Sequence, residues 1–87
     1  MSEILVHPRV VRRHPDLSLG DVVAAIRATF RYKQRDSGEW IAVGLDGNNR
    51  LVEMVYLYDV SEDTFFVYHA MVPPSRKTLL ELGLERG

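Results

Sequence analysis

The sequence contains no cysteine, and this absence excludes several kinds of chemistry at once. Disulfide bonds, thiolate nucleophiles and sulfur-ligated zinc all require cysteine, so His7, His14 and His69 are the only nitrogen ligands left for a metal ion. We therefore expect neither a metal site nor a bound cofactor.

The sequence also lacks the long apolar runs that mark membrane proteins. No stretch approaches the roughly 18 apolar residues of a spanning helix, and the start, MSEILVHPRV, has neither the basic beginning nor the apolar core of a signal peptide. Repeats, linkers and low-complexity tracts are missing too. These features predict a single domain over residues 1–87, in the cytoplasm and without membrane contact.

What is present is an uneven distribution of charge, although the formal net charge is only −1. Residues 7–35 carry seven cations and two acids, whereas residues 51–87 carry three cations and six acids. A basic first half suits a polyanion on one surface, and an acidic second half suits a basic partner on another. A solvated mosaic of surface charges is the alternative interpretation.

The apolar pattern predicts an α+β fold, with a small antiparallel sheet of about four strands, two N-terminal helices on one face and a short C-terminal helix. A short strand, EILVH, precedes a brief helix over residues 9–13. The clearest helix is DLSLGDVVAAIRATFR, where Ser18 and Asp21 form a capping box and the apolar stripe runs from Leu19 to Phe30. A meander of strands follows, with a turn at DGNN. Ser75 can then cap a helix in RKTLLELGLERG, which is amphipathic at helical spacing.

Pairing of the last two strands follows from the four-residue connection VSED. This connection predicts Tyr58 opposite Phe65, Tyr56 opposite Val67 and Met54 opposite His69. The strand should end at the proline pair that follows Val72.

Histidines and arginines are the residues that could cleave RNA without a metal. One group must take the proton from the 2′-hydroxyl, another must protonate the leaving oxygen, and fixed cations must hold the phosphate. Histidine suits the first two tasks and arginine the third. The candidates are His69, His14 and Arg50 for catalysis, and Arg13, Arg31, Lys33, Arg76 and Lys77 for binding RNA.

Each candidate also has a purely structural interpretation. His69 could be a half-buried histidine bonded to a carbonyl group, His14 the end of a helix and Arg50 the flank of a turn. Glu53 is a further anomaly, because it lies on an otherwise apolar stripe and needs a cation or open water. An arginine partner is one expectation, either as structural support or as part of an acid/base pair.

Three segments resemble the BrnT-like toxins of the RelE/ParE superfamily: RRHPDLSLGDVVAAIRATF, IAVGLDGNNRLVEMVYLY and FFVYHAM. Arg13 and His14 match a basic residue and a histidine ahead of the helix, and Ser18 matches the helix cap. Arg50 matches an arginine after the glycine turn. His69, Ala70 and Met71 fall on the family's final SAR triplet, so histidine replaces its serine and methionine its arginine.

The resemblance implies the toxin of a type II toxin–antitoxin system, a metal-independent endoribonuclease that cleaves mRNA, at the ribosome or free, and inhibits translation. It implies a cognate antitoxin encoded nearby and either a homodimer or a hetero-oligomer with that antitoxin. With Met71 in place of arginine, either the chemistry has moved to His69 with Arg76 or Lys77, or the chain does not cut RNA. The alternative function is a non-catalytic module that binds a protein through the open sheet face or the C-terminal helix.

Overall fold

Eight elements follow one another along residues 2–86, which are the residues that the computed structural model describes. They are β1 (Glu3–Val6), α1 (Pro8–Arg13), α2 (Leu19–Arg27), β2 (Thr29–Gln34), β3 (Trp40–Leu45), β4 (Leu51–Asp59), β5 (Thr64–Met71) and α3 (Arg76–Glu81). The α+β prediction is confirmed. None of the helices in this part of the chain has the length and apolar character needed to cross a membrane.

The sheet is mixed and has five strands in the order β1-β5-β4-β3-β2. β2 to β5 form the predicted antiparallel meander, but β1 pairs in parallel with β5, where Leu5 lies beside Phe66. The expectation of an antiparallel sheet of about four strands was therefore only partly right. The residue pattern of a short strand does not specify which distant strand it joins.

Helix α2 is shorter than the sequence pattern predicted. The Ser18–Asp21 capping box forms, but the helix ends at Arg27 and Ala28 is its C-cap. Phe30 then belongs to β2 and is 50% exposed, while Leu19 at the other end of the predicted stripe is 57% exposed. The β-branched and aromatic residues after Ala28 favour a strand, and their pairing with β3 outweighs the helical spacing.

One face of the sheet packs against α2 and carries most of the core. Val22 and Ile26 of α2 contact the cluster that contains Met54 and Tyr56 of β4. Gly44 of β3 permits this close packing, because a Cβ atom there would overlap the backbone carbonyl of Ala25. Replacement of Gly44 would therefore push α2 away from the sheet.

The opposite face is covered in part, contrary to the prediction that the helices share one face. Ile41, Val43 and Val55 point to this second face and pack against Leu82, the C-cap residue of α3. The α3 segment thus closes one end of the face. At the other end Leu5, Leu57 and Phe66 remain 41–49% exposed.

A bulge in β5 changes the predicted register where it matters for His69. Tyr58 opposes Phe65 and Tyr56 opposes Val67, as predicted, but the pairing shifts between Val55 and Tyr56. Tyr68 is the extra residue, so His69 opposes Val55 rather than Met54. Because opposed residues share a face, the shift brings His69 to the face of Val55 and Glu53.

Candidate functional site

The candidate site lies where α1 takes the place of β1 along the edge of β5. The parallel pairing ends at Val6 and Val67, and the backbone N–H of His7 donates the last hydrogen bond to Val67. Pro8 then begins α1, and the His7 side chain caps it by accepting from the N–H of Arg9. α1 therefore runs beside the part of β5 that no strand covers.

A cavity of about 200 Å³ opens between α1 and β5. Arg9 and Arg13 are four residues apart and so share one side of α1, and Val10 anchors that helix in the core. From β5, Tyr68 and its neighbours form the opposite wall. The lining residues are Arg9, Val10, Arg13, His14, Tyr68, His69 and Ala70.

His14 and His69 reach this cavity from different elements. His14 is the C-cap of α1, and its backbone N–H donates to Val10. The centroids of the two imidazole rings are 6.4 Å apart, and the rings are nearly perpendicular. The His69 side chain is 35% exposed. Residues 55 positions apart in the sequence thus present two proton-transfer groups to one solvent-accessible hollow.

Glu53 lies behind His69, on the neighbouring strand, and is only 5% exposed. Its Oε2 is 2.7 Å from Nε2 of His69, while its Oε1 accepts hydrogen bonds from the backbone N–H and the hydroxyl of Ser75. Burial disfavours the carboxylate, but the hydrogen bonds from His69, Thr78 and Ser75 outweigh burial and hold the pKa of Glu53 at about 2. Glu53 is therefore ionised at neutral pH.

Arg50, a predicted catalytic residue, does not line this cavity. Its Nε donates to Asp46, and a terminal nitrogen reaches the Asp16 carbonyl and the Asp21 carboxylate. These contacts join the β3–β4 turn to the beginning of α2. Arg50 thus has structural partners for its guanidinium group and is left out of the site proposed below.

Of the predicted RNA-binding residues, one lies at this cavity and the other four lie on β2 and α3. Arg13 lines the cavity. Arg31 lies in β2, where its side chain donates to the Leu82 carbonyl. Arg76 of α3 forms an ion pair with Glu85, which follows that helix. Lys33 and Lys77 are exposed on β2 and α3, away from the cavity lining.

Arg9 and Glu53 were not among the catalytic or RNA-binding residues predicted from the sequence. Arg9 was one of many cations in the basic half, and its spacing of four from Arg13 was the available signal. Glu53 was singled out as an anomaly, but its partner is His69 rather than an arginine. The β5 bulge brings His69 to the face of Glu53, and the sequence pattern gives no sign of the bulge.

A second cavity, of about 260 Å³, lies on the α2 side of the sheet and is lined mainly by aromatic rings. Trp40 and Tyr56 stack there with their planes 7° apart. Its lining contains no histidine, arginine or carboxylate side chain. Proton-transfer chemistry is therefore assigned to the smaller cavity beside α1.

Comparisons of the chain with protein-family models, with curated proteins and with solved structures found no match. Function is therefore inferred from the geometry of the described residues, together with the short sequence motifs that resemble the BrnT-like toxins.

Proposed function

We propose that this protein is a small, metal-independent endoribonuclease and acts as the toxin of a type II toxin–antitoxin system. The observation that carries the proposal is the cavity in which His14 and His69 face each other beside Arg9 and Arg13. Paired imidazoles and fixed cations are the groups that cleavage at a 2′-hydroxyl needs. Neither imidazole is sealed in the core.

In the proposed reaction, His69 is the base and His14 is the acid. The neutral imidazole of His69 takes the proton of the 2′-hydroxyl, and the 2′-oxygen attacks the adjacent phosphorus. The bond from phosphorus to the 5′-oxygen breaks, and His14 in its protonated form gives that oxygen a proton. The products are a 2′,3′-cyclic phosphate and a free 5′-hydroxyl, with no metal or cofactor required.

Arg9 and Arg13 would hold the phosphate during this step. Guanidinium groups remain charged at all relevant pH values and can bind two phosphate oxygens at once. Both arginines are exposed on α1, so RNA can approach them from solvent. Their position at the cavity takes over the role of the arginine that Met71 replaces in the resembled motif.

The toxin role also calls for a protein that neutralises the chain, encoded beside it. Expression in a bacterial host with and without the neighbouring gene tests this part. We expect growth arrest without that gene and recovery with it. Unaffected growth while the protein accumulates in soluble form would contradict the toxin role.

The nuclease itself is tested with purified protein and RNA in the presence of a chelator. We expect cleavage, and a fall of about 10³-fold in the His69→Gln variant, because glutamine can donate to Glu53 but cannot exchange a proton. His14→Gln should have a similar effect.

His7→Asn is the matched control for these variants. Asparagine keeps the acceptor that caps α1, and His7 does not line the cavity. It should cleave as well as the wild type. Equal activity in His69→Gln and wild type would place the chemistry elsewhere.

A second candidate is a non-catalytic interaction module, and one observation favours it. Leu5, Phe66 and Leu57 are direct neighbours across three strands and form an exposed apolar row on the second face of the sheet. Such a row suits contact with a protein. Salt dependence separates the two functions, since phosphate contacts make RNA affinity fall steeply as salt rises.

A further inference from the structure

The two oxygens of the Glu53 carboxylate have different partners, and this difference restricts what the side chain can be. Oε1 receives two donors from Ser75, at 2.9 Å from the backbone nitrogen and 3.0 Å from the hydroxyl. Oε2 faces Nε2 of His69. The Ser75 donors require an acceptor at Oε1, and an ionised carboxylate is an acceptor at Oε2 as well.

An ionised carboxylate fixes the proton position on the neighbouring ring. Because Glu53 can only accept, Nε2 of His69 must carry the hydrogen in the contact between them. Nδ1 has no hydrogen-bond partner within residues 2–86, and no side-chain nitrogen or oxygen in that range is buried without one. Nδ1 of His69 is therefore not fully buried, and His69 lines the cavity.

We propose that Glu53 is a positioning residue that holds His69 in the Nε2–H form, so that Nδ1 is the nitrogen that exchanges protons in the cavity. The proton-exchange role rests on the proposed nuclease function, but the form of the ring does not. The charged and titratable groups that line the cavity around Nδ1 are Arg9, Arg13, His14 and Tyr68. On the far side of Glu53, the beginning of α3 presents uncharged donors: the backbone N–H and hydroxyl of Ser75 and the hydroxyl of Thr78.

The Glu53→Gln variant tests the proposal because it should move the hydrogen of the neutral His69 ring from Nε2 to Nδ1. The Ser75 N–H cannot change its direction, since Ser75 is the N-cap of α3, so the glutamine carbonyl oxygen must take the place of Oε1. The amide NH₂ then faces Nε2 of His69 and can only donate. A donor at that place requires an unprotonated Nε2, and the neutral ring must carry its hydrogen on Nδ1.

Long-range ¹H–¹⁵N spectra of the folded protein distinguish protonated from unprotonated ring nitrogens, and are recorded at a pH where the same spectra show a neutral ring. We expect Nε2–H for His69 in the wild type and Nδ1–H in Glu53→Gln. A change that only loosened packing would not exchange the two nitrogens. In RNA cleavage, Glu53→Gln should lose at least about 100-fold in kcat with KM little changed.

Glu62→Gln is the charge-matched control, because Glu62 is exposed at the turn between β4 and β5. It should leave both the ring form and cleavage unchanged. If Glu53→Gln does not fold, the wild-type spectrum decides alone.

The outcomes separate this proposal from the nuclease function. A wild-type His69 ring in the Nδ1–H form overturns the positioning role even if RNA is cleaved. An Nε2–H ring in a protein that cleaves no RNA overturns the nuclease and with it the role of Nδ1, while the effect of Glu53 on the ring stands. Reversal of the ring in Glu53→Gln with full cleavage overturns Nδ1 as the exchanging nitrogen.

Discussion

Glu53 in β4 and Asp46 at the start of the β3–β4 turn are each 5% exposed, yet their surroundings differ in one respect. Asp46 accepts hydrogen bonds from the backbone N–H groups of Asn48 and Arg50 and from the Arg50 side chain. Glu53 accepts from Ser75 and from His69. Each carboxylate is ionised and fully bonded in the fold.

The difference lies in what remains unbonded on the partner. A terminal nitrogen of Arg50 donates to the Asp16 carbonyl and to the Asp21 carboxylate. The guanidinium group is therefore bonded within the Asp46 network. His69 keeps Nδ1 without a hydrogen-bond partner within residues 2–86, and His69 lines an open cavity. A buried carboxylate by itself therefore does not indicate a functional site. An accessible, titratable atom without a partner is what makes the Glu53–His69 pair, and not the Asp46 network, a candidate for one.

The contrast between Glu53 and Asp46 should be greatest in the stability of the protein in acid. The pKa of Glu53 is lowered from 4.5 to about 2 in the folded protein. A lowered carboxyl pKa adds stability above the unfolded value, and that stability is lost as the pH falls from about 5 through the folded value near 2. The difference corresponds to on the order of 3 kcal/mol.

Urea unfolding from pH 7 down to pH 2 measures this effect. The stability advantage of the wild type over Glu53→Gln should shrink as the pH falls from about 5 towards 2. A constant difference over the whole range would mean that the Glu53 carboxyl is not ionised more readily in the folded state.

The next effect concerns Asp46. Its replacement should lower the free energy of unfolding without changing RNA cleavage. Asp46→Asn keeps one acceptor for the turn but presents an NH₂ group to Arg50. We expect a loss of about 2 kcal/mol in the free energy of unfolding, with RNA cleavage unchanged at a temperature where the variant is folded. Reduced cleavage in the folded variant would contradict the separation of the two networks.

The smallest effect compares Arg13 with Arg50. Arg13→Gln should leave the melting temperature unchanged and lower the slope of RNA affinity against salt by about 1, because one phosphate contact is lost. Arg50→Gln should leave that slope unchanged and cost about 1 kcal/mol of stability. Thermal unfolding and RNA binding at several salt concentrations measure both. The opposite assignment of effects would return Arg50 to the site.

Much of the local structure could be predicted from the sequence. The Ser18–Asp21 capping box, the turn at DGNN and the helix that Ser75 begins follow from side chains that bond to nearby backbone, and all three are present. His14 and His69 could be picked out as candidates because few residue types exchange protons at neutral pH. The fold class followed from the order of helical and alternating patterns.

The fold departed from the prediction where distant segments meet. The parallel β1–β5 pair and the placement of α3 on the second face depend on which apolar surfaces are left to be covered. The end of α2 at Arg27 depends on the pairing of Thr29 with Gly44. A sequence pattern reports the periodicity of one segment and not the energy of its contacts with another.

The sequence by itself determined the inventory: three histidines, no cysteine, a basic first half and one carboxylate on an apolar strand. The shared cavity of His14 and His69, and the bond from Glu53 to His69 rather than to an arginine, depend on how distant segments pack. The physical reason is the extra residue at Tyr68. A shift of one residue moves every later side chain of a strand to the other face, and its cost is settled by long-range packing.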